Sequence, residues 1–95
     1  MQKWALEYLD GIRKCIKKLG GKELKQFKSK VIDLEFSENP KRLGELKGTR
    51  KHGYCYVINI TASYRLAYRV NENQHTITLI TVGDHKEVYG WDKKS

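Results

Sequence analysis

Between Lys41 and Gly53 the chain reads Lys-Arg-Leu-Gly-Glu-Leu-Lys-Gly-Thr-Arg-Lys-His-Gly, five basic residues against one acid, punctuated by glycine. Nothing in it repeats at helical spacing, so its charges are not the polar side of an amphipathic helix. Read as a loop, it would let bare backbone and cationic side chains approach a phosphate chain. Arg65 and Arg69 fall four residues apart in a stretch of strand-like alternation, which puts both guanidiniums on one face. A planar guanidinium can clamp two phosphate oxygens with a geometry that lysine cannot match. His52, His75 and His85 are scattered and each reads as standing alone rather than chelating. A histidine near its ordinary pKa of about 6.5 can exchange a proton at neutral pH. Cys15 and Cys55 are the only thiols; they are too few for a disulfide scaffold and read as reduced. These residue types describe contact with a polyanion, with proton transfer available and no metal or cofactor implied.

The composition agrees with that chemistry. Ninety-five residues carry 19 Lys and Arg against 11 Asp and Glu, a formal charge of +8. That length suits one domain over residues 1–95. Residues 1–53 hold 14 of the 19 basic side chains and 7 of the 11 acids, so the surplus is concentrated in the first half. Lys14, Lys17, Lys18, Lys22, Lys25, Lys28 and Lys30 read as the solvated faces of helices. No apolar run approaches the roughly 20 residues of a membrane span. The opening Met1-Gln2-Lys3-Trp4 lacks the charged-then-apolar layout of a signal peptide, and a cytoplasmic location is expected.

The elements that must position these groups can be read from periodicity. Leu24, Phe27, Val31 and Leu34 recur at three- and four-residue spacing and predict a helix over 22–36, ending before Asn39-Pro40. Upstream, Trp4, Leu6 and Tyr8 alternate, and Asp10-Gly11 looks like a helix start. A strand at 3–8 followed by a helix at 11–19 satisfies both patterns. Segments 54–61, 64–70 and 75–82 are rich in aromatic and β-branched residues, separated by short polar breaks that favour antiparallel hairpins. On the middle strand Tyr64, Leu66, Tyr68 and Val70 face one way and Arg65, Ala67 and Arg69 the other. On the last strand Ile77 and Leu79 share one face and Ile80 and Val82 the opposite one, so both faces should be covered. The expected fold is α+β, two N-terminal helices packed on a twisted antiparallel sheet of three to four strands.

Three stretches in this order resemble the RelE/ParE superfamily of toxins from toxin–antitoxin modules: Leu46-Lys47-Gly48, Tyr64-Arg65-Leu66-Ala67-Tyr68-Arg69-Val70, and Val82-Gly83-Asp84-His85-Lys86-Glu87-Val88-Tyr89. The resemblance extends over essentially the whole chain and implies the same two-helix, antiparallel-sheet fold. It implies a toxin in the style of RelE, which enters the ribosomal A site and cuts mRNA unless a cognate antitoxin covers it. The reaction transfers a phosphodiester onto its own 2′-oxygen and needs a base, a cation for the phosphate and an acid for the leaving 5′-oxygen. By this resemblance Arg65 holds the phosphate, His85 is a general acid or base, and Tyr89 stacks on a base or orients the phosphate. Lys47, Arg50, Lys51, Arg69 and Lys86 become RNA contacts, and Glu45 a candidate base. The antitoxin should present an acidic, amphipathic segment, giving a toxin–antitoxin hetero-oligomer. One departure matters: relatives of the RelE type place two lysines on the first hairpin strand, where this chain carries Val57 and Asn59. The alternative is a ParE-like inhibitor of DNA gyrase without nuclease activity.

Overall fold

The structure, a computed structural model, describes residues 3–90; Met1, Gln2 and residues 91–95 lie outside the described residues, and with them part of the signal-peptide argument. The apolar stripe of Leu24, Phe27, Val31 and Leu34 winds into helix α2, Gly21–Glu35. Phe27, Val31 and Leu34 are buried and Leu24 packs beside them, while Lys22, Lys25 and Lys28 stay exposed. Pro40 then opens a 3₁₀ turn, Pro40–Leu43, at the helix-start position where its missing N–H costs nothing.

Ahead of α2, the strand-then-helix reading holds, with strand β1 at Ala5–Tyr8 and helix α1 at Ile12–Lys17. The cap differs from expectation. Gly11, not Asp10, holds the N-cap position, at φ 95° and with no side-chain cap. Glycine tolerates this left-handed geometry, and standing outside the helix it avoids the penalty it would carry in a helix interior.

The remaining strands are β2 (Glu45–Thr49), β3 (Gly53–Asn59), β4 (Arg65–Asn71) and β5 (Thr76–Gly83). They form one five-stranded sheet in the order β1-β5-β4-β3-β2, with β1 parallel to β5 and every other pair antiparallel. The sheet exceeds the expected three to four strands because part of the basic segment 41–53 is strand β2, not loop. Its sequence, Glu-Leu-Lys-Gly-Thr, has one apolar side chain and lies at a sheet edge. Pairing with β3, rather than burial, makes it a strand. Thr49 shapes the turn that follows: its hydroxyl donates to the Gly53 carbonyl (2.9 Å) and accepts from the His52 N–H (2.8 Å).

Helices α1 and α2 cover one face. Ile12, Phe27, Val31 and Leu34 pack there against Ile58, Leu66, Tyr68, Ile77 and Leu79. Strand β5 is irregular: Ala67 pairs with Thr81 but Tyr68 with Leu79, leaving Ile80 as the extra residue of a β-bulge. Val82 therefore joins Ile77 and Leu79 in the helix-covered core, contrary to simple alternation, and Ile80 turns to the opposite face. That second face is covered by a helix absent from the sequence reading, α3 (His85–Tyr89). Its Val88 is buried against Cys55, Val57, Ala67 and Ile80, a burial worth about 1.5–3 kcal/mol. The Asp84 carboxylate caps α3 by accepting from the Glu87 N–H (2.9 Å). Gly90 ends it at φ 83°, where an added Cβ would lie 3.0 Å from Lys51 Cγ and 3.1 Å from Arg50 Cβ.

Candidate functional site

Strand register gathers the polar groups. Glu45 pairs with Val57, Lys47 with Cys55, Val57 with Ala67 and Asn59 with Arg65, so Glu45, Lys47, Val57, Asn59 and Arg65 share the face that α3 partly covers. Tyr89, at the end of α3, completes a cleft of about 250 Å³ with those five side chains. His85 stands one helical turn before Tyr89, its ring centroid 4.4 Å from the tyrosine ring at 44°. Arg65, distant in sequence from both, is thus linked to Tyr89 through one cleft and to His85 through one further ring contact.

The Arg65 guanidinium is anchored from behind. Its Nη1 donates towards the carbonyls of Thr61, Ala62 and Tyr64 at 3.2–3.3 Å, which steadies it on the β3–β4 turn. Lys47 Nζ lies 3.1 Å from Glu45 Oε2. Both groups are exposed, so the pair adds little stability, but it places a carboxylate and an ammonium side by side in the cleft. Val57 is buried, with only 6% exposure, and supplies no cation. Asn59 supplies a neutral amide.

Other predicted contacts lie elsewhere. Arg69 shares the face of Arg65, yet its Nη2 donates to the His52 carbonyl. It lines a separate polar cleft of about 460 Å³ with Lys41, Asn71, Glu72, Asn73 and Thr78. Four strand residues separate the two arginines by about 13 Å, so Arg69 lies apart from the cleft that holds Arg65. Arg50 and Lys51 sit in the β2–β3 turn and tie it to α3: the Arg50 N–H donates to the Tyr89 carbonyl (2.8 Å), and Lys51 Nζ lies 3.5 Å from Glu87 Oε2. Lys86 is exposed on α3.

His52, which the sequence reading gave no role, has a lowered pKa. Burial, then the charges of Lys51 and Arg69, hold it below its ordinary value, with Glu87 opposing. Spacing along the chain carries no sign of this, because only pairing across the sheet brings residue 52 beside residue 69. His75 is structural, its ring stacked on Trp4 at 3.8 Å and 15°. Cys15 and Cys55 are free thiols, and burial pushes the Cys55 thiol up. Among the described residues, no group of three or more His, Cys, Asp and Glu is arranged to hold a metal ion, and no helix is long and apolar enough to cross a membrane.

The profile of a family described as the ParE-like toxin of type II bacterial toxin–antitoxin systems matches residues 7–93. The chain belongs to this family. The toxin's fold recurs in solved structures. A chain of the intact Escherichia coli RelBE toxin–antitoxin complex is 28% identical, with a TM-score of 0.68 over 85% of the toxin and 95% of that chain. The isolated E. coli RelE toxin is also 28% identical, with a TM-score of 0.67 over 92% of each chain. A chain of the archaeal RelE–RelB complex from Pyrococcus horikoshii OT3, 17% identical, shares the fold at a TM-score of 0.67 over 88% of the toxin and 96% of that chain. No curated protein matches the sequence. Membership of the RelE/ParE superfamily, inferred from three sequence stretches, therefore stands, and so does the α+β architecture.

Proposed function

We propose that the toxin is an endoribonuclease that cuts mRNA at the ribosome and is held inactive by a cognate antitoxin. The observation that carries this reading is the single cleft lined by Glu45, Lys47, Asn59, Arg65 and Tyr89, with His85 against the tyrosine ring. A base, cations and a proton donor there meet the needs of transphosphorylation. The Glu45 carboxylate takes the proton of a ribose 2′-hydroxyl, whose oxygen then attacks phosphorus. Arg65 and Lys47 hold the non-bridging oxygens as negative charge builds on them. The bond to the 5′-oxygen breaks, the His85 imidazolium protonates that oxygen, and a 2′,3′-cyclic phosphate and a 5′-hydroxyl result. Tyr89 orients the phosphate or stacks on the adjoining base. The relatives crystallised as RelE–RelB pairs support an antitoxin partner, and the charge of +8 favours an acidic one.

One observation favours the second reading, a gyrase inhibitor without nuclease activity. The two strand lysines of RelE-type enzymes are replaced by a buried valine and an amide. Inducing the toxin in a bacterial host and mapping mRNA 5′ ends separates the readings. Nuclease action predicts new, codon-spaced ends that disappear in Glu45→Gln and His85→Ala. Intact messages with DNA breaks and an SOS response, and full toxicity of both variants, would establish the gyrase reading.

A further inference from the structure

Tyr54 is 75% exposed, although it lies on a sheet strand facing the same way as the buried core tyrosine Tyr68. Its cross-strand partner is Gly48. An ideal Cβ on Gly48 would lie 3.3 Å from Tyr54 Cε1, so the ring rests over bare backbone with its outer side open. Leu46, the diagonal neighbour on the edge strand β2, is 59% exposed. The cations of this edge lie on its reverse side: Lys47 lines the cleft, and Arg50 and Lys51 sit in the following turn, which is tied to α3. An open ring on one side of an edge and cations on the other can together hold single-stranded nucleic acid that crosses it, bases stacking on the ring and phosphates meeting the charges.

We infer that Tyr54 is a base-stacking platform for RNA, on the opposite face of β2 from the cleft. Because β2 is the outermost strand, an RNA strand folded over its edge reaches both surfaces. A nucleotide flanking the cut phosphodiester stacks on Tyr54 and Leu46, while Lys47 and Arg65 hold phosphate on the other side. The net charge of +8 and a bare ring favour RNA over a second copy of this chain, which would bring like charge to the same edge. The inference rests on the reading that the toxin acts on RNA and adds to it a site outside the catalytic groups.

The test uses the purified full chain and a fluorescein-labelled, single-stranded 2′-O-methyl RNA of about 12 nucleotides, within the usual span of such sites; its blocked 2′-oxygen prevents cleavage. Tyr54→Ala should weaken binding by roughly five-fold or more, as expected for the loss of one stacked base. Tyr54→Trp should retain it. The salt dependence should also separate stacking from charge. Tyr54→Ala should leave the slope of log K against log salt unchanged, whereas Lys47→Ala should reduce it by about 0.7. Unchanged affinity in Tyr54→Ala, or no binding by the wild type, overturns the platform; the RNA reading itself falls only if induction leaves messages intact. If light scattering shows a dimer that Tyr54→Ala dissolves, the surface is a self-interface and the inference fails.

Discussion

At the scale of single residues, the proton-transfer roles proposed for Glu45 and His85 can each be tested. Each variant, Glu45→Gln or His85→Ala, should slow mRNA cleavage in a purified translation system by about 10²–10⁴-fold, the usual contribution of one proton-transfer group. Circular dichroism should remain native, because neither side chain belongs to the core clusters. His52 predicts a different behaviour, in stability. Its imidazolium is disfavoured in the folded chain by burial and by Lys51 and Arg69. Below about pH 6.5 the unfolded chain takes up a proton that the folded chain accepts only at lower pH. Stability therefore falls as pH drops from about 6.5 through the folded pKa, and above that window His52 contributes no pH dependence. Thermal melts between pH 5 and 7.5 should show this decline flattened in His52→Gln.

At the scale of elements, the contacts that hold α3 and the 3₁₀ turn are open to test. Removing the α3 cap with Asp84→Ala should cost about 1 kcal/mol and speed hydrogen exchange in His85–Tyr89, with cleavage falling as Tyr89 loses its place. The Tyr68 hydroxyl donates to the Pro40 carbonyl at 2.6 Å, and burial, reinforced by Tyr56, pushes its pKa above the usual tyrosine value. Tyr68→Phe strands a buried acceptor and should lower the urea-unfolding free energy by about 1–3 kcal/mol. Gly44 runs so close to this bond that a Cβ would sit 2.7 Å from the Tyr68 hydroxyl and 2.9 Å from the Val57 carbonyl oxygen. These contacts also explain how far the sequence could be read. Helix α2 and strands β3 and β4 were legible because each buries one face and so keeps its period. Strand β2 was not, since an edge strand held by backbone pairing needs no apolar alternation. Alternation puts Val82 on the wrong face because a bulge shifts the parity of β5. Helix α3 is too short to show a period. Arg65, Tyr89 and His85 stand out by resemblance, and Asn59 only by the lysine it replaces. The cleft that gathers them, and the pairing of His52 with Arg69, come from strand register, which local spacing does not record.

At the scale of the whole molecule, the surplus charge and the order of the strands have separate consequences. With +8 on 95 residues, encounter with an acidic antitoxin should be electrostatically steered. Its association rate, measured by stopped flow, should fall by an order of magnitude or more between low and high salt, with a much smaller change in dissociation. The parallel pairing of β1 with β5 sets Ala5 opposite Thr76 and Tyr8 opposite Leu79. Growing from its amino end, a nascent chain displays β1 long before its partner has been synthesised, and contacts this distant in sequence form late and slowly. The cleft waits as well, since Glu45 comes from β2 and Tyr89 from the helix after β5. On the proposed reading, a toxin translated only part-way lacks Tyr89 and with it a complete cleft, so every chain cut short of residue 89 should be inactive.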